Sequence, residues 1–257
     1  MQGLAIFIHA VRMVIGNFGQ ALRIGGVALA VTIVSFLLAG PEHFNPPQPG
    51  QGGSFFDRTL SGDTLLSIVQ AVVYLWVAVA WHRYILLDEE PGLFAPRFKG
   101  SAIWSYFIAG LLCGLVIWLA TIPLLILSGL FAMLVVAPED PIGLGVFLVA
   151  MVLVLLPAGW LGARLAPMLP SAAIQKRLKL GEAWAATKGA GYPFMVLVFV
   201  TFGTILLINT PAPFLGDAFM PLGLLWDAAA KWLTIMVGAS ILTTIYGVYV
   251  EKRALNV

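Results

Sequence analysis

The sequence predicts an all-α protein, a polytopic membrane helical bundle of six transmembrane helices that forms one domain over residues 1–257. Hydrophobic residues make up 60% of the chain, only 10% are charged, and the mean hydropathy is +0.97. A soluble domain is about one-quarter charged. The apolar residues also fall into runs of about 20, the length that crosses a bilayer. Basic residues concentrate in alternate connecting segments, as expected for a chain that crosses a membrane repeatedly.

The N-terminal segment, residues 1–20, is predicted to be an amphipathic helix that lies in the membrane interface. Apolar residues recur at helical spacing and polar residues fall on the opposite face. The apolar face comprises Leu4, Phe7, Ile8, Val11, Val14, Ile15 and Phe18, and the polar face comprises Gln2, His9, Arg12, Gly16 and Gln20. The alternative is that this segment extends the first span as one long helix.

Six apolar segments are predicted to cross the membrane. The predicted spans are residues 23–40, 65–87, 103–127, 143–163, 194–209 and 228–250. Residues 41–63, between the first two spans, are rich in Pro, Gly, Gln and Asn and are expected to form a water-exposed loop.

The third span belongs to an apolar run that is too long for one crossing. Residues 103–136 contain no charge, and a helix of that length would extend about 51 Å against about 30 Å of hydrocarbon. We expect Pro123 to kink the helix and Ser128 and Gly129 to bend or end it, so that residues 130–136 lie along the far interface. Two full spans are rejected because no polar turn divides the run.

The distribution of Lys and Arg predicts that both termini are cytoplasmic. With six spans, twelve of the 14 basic residues fall on the side of the termini, and only Arg58 and Lys231 fall on the other side. Cytoplasmic loops are enriched in Lys and Arg, so the first side is the cytoplasm, and a bacterial inner membrane is the expected location. A seventh span would place the most basic segment, residues 164–192, outside.

Residues 164–192 provide the candidate contact site on the cytoplasmic face. Residues 182–188 are predicted to form a short interfacial helix, closed by Gly189 in the left-handed conformation and with an indole at headgroup depth. The candidate contacts for anionic lipids or a partner protein are Arg164, Lys176, Arg177, Lys179, Glu182, Trp184 and Lys188. The determination of topology is an alternative explanation for these cations and needs no ligand.

A second charged group, His82 with the acidic residues 88–90, follows the second span. Three consecutive acidic residues cannot all converge from a regular helix on one metal ion, and Arg83 is near enough to pair with one of them. We therefore interpret the group as a solvated charged loop. Arg164 is expected to pair with Glu182 or with one of residues 88–90, and so to hold the cytoplasmic layer against the bundle.

Polar residues within the predicted spans are few and uncharged near the span midpoints, which argues against ion-coupled transport. Gln70 and Asn209 are the most costly to leave unpaired and are candidates to line a polar cavity. Alternatively, they bond across helices or to backbone carbonyls. Gly110 and Gly114 form a GxxxG pair that would admit a close second helix, from this chain or another protein. No catalytic motif, cofactor site or metal site is predicted.

Several short motifs carry a family resemblance. They are Arg164, Leu169-Pro170-Ser171, Glu182-Ala183-Trp184, Thr187-Lys188-Gly189 and Trp81-His82-Arg83-Tyr84. Their order resembles poorly characterised bacterial inner-membrane proteins that are similar in layout to the membrane domain found beside some glycerophosphoryl diester phosphodiesterases. The resemblance implies a six-helix membrane domain without the phosphodiesterase activity, because the catalytic domain is not in this sequence. Leu180-Gly181 stands where such proteins often place a Ser or Thr helix cap.

These observations predict a non-catalytic accessory, assembly or scaffold subunit of an inner-membrane complex. Its expected partners are the lipid bilayer, anionic lipids and other subunits, and not nucleic acid. The alternative is a facilitator or transporter of a small neutral or lipidic molecule, and an enzyme of lipid metabolism is a third candidate. A continuous polar cavity would favour transport, whereas a dry core with an exposed apolar flank would favour the subunit.

Overall fold

A computed structural model describes residues 2–39, 62–92, 95–135 and 142–255, and these ranges contain helices and turns but no strand. Ten helices follow one another in the described ranges. They are α1 (Gln2–Gly16), α2 (Phe18–Ala39), α3 (Gly62–Leu87), α4 (Gly100–Val135), α5 (Ile142–Leu165), α6 (Met168–Ala173), α7 (Leu180–Ala186), α8 (Gly191–Asn209), α9 (Pro211–Ala218) and α10 (Met220–Tyr249). The predicted loop at residues 41–63 lies almost wholly outside the described residues.

Five stretches of helix are long and apolar enough to cross a membrane: α2, α3, α4, α8 together with α9, and α10. Helix α5 has 24 residues, of which Val152–Leu165 count as a shorter apolar helix. Each of the six predicted spans overlaps one long helix. The chain is therefore an all-helical bundle compatible with a multi-pass membrane protein.

The N-terminal segment is a helix separate from the first span. Helix α1 ends at Gly16 and α2 begins at Phe18, so the alternative of one long helix is wrong. Helix α1 packs against α8 and α10. The residues that it buries there are Gly3, Ile6, Ala10 and Val14. Leu4 and Ile15, on the predicted apolar face, are exposed. A narrow stripe that includes small residues contacts the bundle, because small side chains let two helices approach closely.

The third apolar run forms one uninterrupted helix. Helix α4 contains 36 residues, with Pro123 inside it, and continues through Ser128 and Gly129 to Val135. Of the two outcomes expected at Ser128 and Gly129, a bend or an end, the end of the helix is wrong, whereas the rejection of two separate spans is confirmed. The Ser128 hydroxyl donates to the Leu125 carbonyl at 3.0 Å, so its hydrogen bond is made within the helix. Backbone groups in an apolar medium have no better partners than those of a continued helix.

Helix α10 is the centre of the bundle and contacts α1, α2, α3, α6, α8 and α9. Helices α4 and α5 form a hairpin, and each packs more extensively against the other than against any other single helix. The short helix α6 is wedged between α4 and α3, and α5 packs against α8. A space remains between α3 and α4.

One end of the bundle, called the basic end below, holds α6, α7, the last turns of α3 and α10 and the first turns of α4 and α8. The contacts that join them are Arg83 Nη1 to the Ala173 carbonyl (2.9 Å), Gln175 Nε2 to Ser101 Oγ (2.9 Å), the Tyr84 hydroxyl to Asn17 Oδ1 (3.1 Å), and the ring of Phe194 against that of Tyr249 (5.2 Å). The segments predicted to lie on one side of a membrane thus share one end of the molecule.

Candidate functional site

Arg164, in the last turn of α5, binds the carboxyl end of α7. Its guanidinium donates to the backbone carbonyls of Thr187 and Trp184, the second at 3.0 Å, and the Thr187 hydroxyl lies 3.1 Å from the Arg164 carbonyl. The last carbonyls of a helix lack partners within the helix and carry partial negative charge, so they attract a cation. Arg164 does connect the short-helix layer to the bundle. The ion pair expected with Glu182 or with residues 88–90 is not among the described ion pairs, and that expectation is wrong.

Two indoles enclose the Arg164 guanidinium. Its central carbon lies 4.2 Å from the ring centre of Trp184 and 5.8 Å from that of Trp160, and the two rings meet edge to face. Trp160 also donates to the Gly191 carbonyl at 3.2 Å, which fixes its orientation. Arg164 is only 6% exposed. This arginine is a packed structural cation, stacked on aromatic rings.

Glu182 begins α7. Its carboxylate accepts a hydrogen bond of 2.8 Å from the Lys179 backbone N–H, immediately before the helix starts. A carboxylate at this position satisfies an unpaired amide and suits the positive end of the helix dipole. The Glu182 carboxylate therefore caps the helix, since the side chains of Leu180 and Gly181 have no acceptor that could do so. The helix runs from Leu180 to Ala186, and Gly189 has φ +85°, so the left-handed conformation predicted for this glycine is confirmed.

The other predicted contact residues lie on the surface of the same layer. Lys176, Arg177, Lys179 and Lys188 are exposed, and Trp184 is 39% exposed. Arg177 Nε donates to Ser105 Oγ at 2.5 Å, which fixes the linker between α6 and α7 against α4. The structure therefore divides the predicted set: Arg164 and Glu182 build the layer, and the remaining cations cover its outside.

Arg83, near the end of α3, binds the end of α6 in the way that Arg164 binds the end of α7. It binds Glu89 at 2.7 Å and donates to the Ala173 carbonyl at 2.9 Å, while Lys99 also binds Glu89 at 2.7 Å. The expectation that Arg83 pairs with an acidic residue of the 88–90 group is confirmed. Burial would raise the pKa of the Glu89 carboxyl, but the hydrogen bonds and charges of Lys99 and Arg83 outweigh burial and lower it.

His82 is not part of a solvated loop, and the interpretation of it as a solvated residue is wrong. Its ring is fully buried, with Nδ1 2.7 Å from Thr243 Oγ1 and Nε2 3.3 Å from the Tyr106 hydroxyl. The Thr243 hydroxyl donates its hydrogen to the Ala239 carbonyl. Nδ1 must therefore carry the hydrogen that Thr243 accepts, which leaves Nε2 of a neutral ring to accept from Tyr106.

No sequence pattern identifies this buried hydrogen-bonded chain, because its three side chains come from α3, α4 and α10 at separations of 24 and 161 residues. His82 stands next to Trp81 and Arg83, in a cluster typical of membrane interfaces. Trp81 is buried as well and donates to Ser240 Oγ at 2.8 Å. Together these bonds fix α3 against α10 near the basic end.

The two residues proposed to line a polar cavity make hydrogen bonds within the helical bundle. Gln70 Nε2 lies 3.5 Å from Thr32 Oγ1, which is also 2.9 Å from the Tyr74 hydroxyl. Asn209 donates to the Ile205 carbonyl at 2.8 Å, one turn back in its own helix. These are the bonds across helices and to backbone carbonyls that the alternative interpretation describes.

Three clefts between helices are lined almost entirely by apolar side chains. The first, about 690 Å³, lies between α3 and α4 and opens laterally. The second, about 410 Å³, lies between α4 and α5, and the third, about 360 Å³, lies among α5, α8 and α10. Gln70 and Asn209 line none of these three.

The GxxxG pair faces the cleft between α3 and α4. A Cβ on Gly110 would meet only Leu169 of α6, at 3.7 Å, and a Cβ on Gly114 would meet nothing within 4 Å. Tyr106, whose hydroxyl is held by His82, lines the same cleft near its basic end. Gly114 therefore makes no close contact with another helix among the described residues. The two glycines leave a shallow apolar surface open.

In the part of the chain that the structure describes, no three His, Cys, Asp or Glu side chains are grouped so that they could hold a metal ion. Cys113 is a buried free thiol whose Sγ lies 3.7 Å from Met168 Sδ. Comparison with models of known protein families, with curated proteins and with solved structures finds no match to this chain.

Proposed function

We propose that this chain spans a bacterial inner membrane six times, with both termini in the cytoplasm, and acts as a non-catalytic accessory or scaffold subunit of a membrane complex. The sixth span is α5, whose 24 residues would extend about 36 Å, enough to cross the hydrocarbon layer. The basic end then faces the cytoplasm, in agreement with the excess of Lys and Arg on that side.

The observation that carries the subunit proposal is the open cleft between α3 and α4. Its α4 side runs from Tyr106 to Trp118, which is about 18 Å or more than three turns of helix. Gly110 and Gly114 lie along it and permit backbone approach, and Leu111, Leu115 and Trp118 beside them are more than half exposed. Small residues flanked by exposed apolar side chains are the usual surface for a neighbouring transmembrane helix. The proposed occupant is a helix of a partner subunit.

The experiment is affinity purification in a mild detergent, followed by mass spectrometry of proteins that co-purify. The variant is Gly114→Leu, which places a large side chain in the cleft at a position where an added Cβ meets nothing within 4 Å among the described residues. The matched control is Gly129→Leu on the same helix, where a Cβ also meets nothing within 4 Å and which does not line the cleft. We expect a stoichiometric membrane partner with the wild type and the control and its loss with Gly114→Leu.

Purification of wild-type protein without any partner would contradict the subunit proposal. So would a partner that both leucine variants retain equally. A photoreactive residue at Leu111 adds a direct test, because it should cross-link to the partner from within the cleft.

Movement of a lipidic molecule is the second candidate function, because the lining of the three clefts is apolar. An apolar lateral opening suits an acyl chain and offers little to a polar solute. Purified protein reconstituted into vesicles would then accelerate the exchange of a fluorescent phospholipid between leaflets. Exchange at the rate of protein-free vesicles would remove this candidate.

A further inference from the structure

Four exposed cations on the short-helix layer form no ion pair with an acidic side chain among the residues that the structure describes. The basic patch, as we call it, comprises Lys176, Arg177, Lys179 and Lys188. In the described ranges, the ion pairs use Arg83, Lys99, Lys231 and Arg253 instead. The carboxylate in this layer, Glu182, accepts from the Lys179 backbone N–H and is in none of these ion pairs. Four cations against this one carboxylate leave the layer with a net positive charge.

The patch is held in a fixed position beside the ends of the long helices. Gln175 turns the chain with φ +62° and donates to Ser101 at 2.9 Å, and Arg177 donates to Ser105 at 2.5 Å. The Leu178 backbone N–H donates to Ser171 Oγ at 3.1 Å, which closes the linker. These bonds fix the linker against the first turns of α4. The cations consequently stand at the level where the apolar helices end.

An aromatic side chain marks the same level. Trp184 lies between Lys179 and Lys188 along the chain, is 39% exposed, and stacks on Arg164, which stands at the end of α5. The guanidinium holds the indole in place, so part of the ring faces outward at a set depth. Tryptophan concentrates at the headgroup level of bilayers, where its apolar ring and its N–H both find partners.

We infer that the basic patch and Trp184 form a docking surface for the headgroups of anionic phospholipids in the adjoining leaflet. The positive charge of this surface is complementary to anionic headgroups, and the surface borders two apolar helices, α4 and α5. Each Lys near such a membrane adds about 1 kcal/mol of attraction. An acidic protein partner is the competing occupant. The bilayer is favoured because the patch lies at the membrane boundary. This surface is separate from the cleft of the proposed function, and its test does not depend on a partner subunit.

The test compares two triple variants of the full chain that remove equal charge. The patch variant is Lys176→Gln, Lys179→Gln and Lys188→Gln. The control is Arg12→Gln, Arg23→Gln and Arg97→Gln, three exposed cations elsewhere on the molecule. The thermal unfolding of each protein is followed in a neutral detergent during titration with phosphatidylglycerol or, separately, phosphatidylcholine. Unfolding without lipid is compared first, and all three proteins should agree, since the changed side chains are exposed.

Phosphatidylglycerol should raise the unfolding temperature of the wild type and the control, and phosphatidylcholine should not. The patch variant should need a roughly tenfold or more higher phosphatidylglycerol concentration for the same effect. Equal titrations for the two triple variants, or equal responses of the wild type to both lipids, would overturn the inference. An unchanged lipid response in the patch variant together with loss of a co-purifying acidic protein would also overturn it, because the patch would then bind that protein.

Discussion

Two arginines, Arg83 and Arg164, each bind the carbonyl end of a short helix. Helices of six or seven residues are not stable alone in water, because too few hydrogen bonds offset the cost of nucleation. Arg83 binds the Ala173 carbonyl at the end of α6, and Arg164 binds the Trp184 and Thr187 carbonyls at the end of α7. Each arginine comes from the last turns of a long helix. The short-helix layer is therefore fixed by charged side chains on backbone carbonyls.

Replacement of Arg164 tests this role. Arg164→Ala should destabilise the detergent-solubilised protein by roughly 2–3 kcal/mol, the usual contribution of hydrogen bonds to a charged group. Arg164→Lys should recover only part of the loss, because an ammonium cannot reproduce the forked geometry and the stacking. Thermal unfolding measures both. Arg12→Ala, at an exposed cation, is the control. An unfolding temperature of Arg164→Ala equal to that of the wild type would contradict the role.

The buried chain from Tyr106 through His82 to Thr243 gives a second prediction at the residue scale. Thr243→Val leaves the Nδ1–H of His82 without an acceptor and should cost about 1–3 kcal/mol. Thr234→Val is the matched control on the same helix, because the described hydrogen bond of Thr234 is one to the Ala230 carbonyl of that helix. Equal unfolding free energies for the two variants would show that the His82–Thr243 bond contributes nothing.

Among the elements, one carboxylate helps to hold the described part of the connection from α3 to α4. Glu89 binds Arg83 and Lys99 and so ties the end of α3 to the start of α4. The pKa of its carboxyl is lower in the folded protein than in the unfolded chain. Its stabilising effect is therefore fully present at neutral pH and is lost as the pH falls through that lowered pKa.

The pH dependence of unfolding checks this connection. Glu89→Gln should unfold at a lower temperature than the wild type at neutral pH, and the gap should close in acid, where the wild-type carboxyl is protonated. Glu90→Gln, at an exposed carboxylate outside the described ion pairs, should follow the wild type at every pH. A gap between Glu89→Gln and the wild type that does not change with pH would argue against the ion pairs.

At the same scale, the positions of the long helices follow from the sequence, whereas their contacts do not. Apolar length and turn residues are local signals, and each predicted span overlaps a helix. The face that α1 buries was not predictable, because Gly3 and Ala10 carry little hydrophobic signal but permit close approach. A Cβ on Gly3 would collide with the Pro193 carbonyl of α8. The burial of His82 likewise depends on partners far away in the chain.

For the whole molecule, the basic connections were predicted to lie together, and the structure places them at one end. Charge counting could group these segments because it needs only the order of spans and loops. The patch cations were predicted as one set with Arg164, and the structure separates them, since Arg164 turns inward between Trp160 and Trp184. The cleft between α3 and α4 was not predictable, because it depends on how the helices pack against one another, which no local pattern in the sequence records.

The six-span topology with the basic end in the cytoplasm is tested most directly by cysteine accessibility in spheroplasts. Cys113 is the single native cysteine, so Cys113→Ala provides a background for single cysteines at Gly50, Pro141, Lys176 and Lys252. Gly50 and Pro141 lie outside the described residues. A membrane-impermeant maleimide should label the first two positions in intact spheroplasts and the last two only after lysis. Labelling of Lys176 without lysis, or protection of Pro141, would contradict the topology.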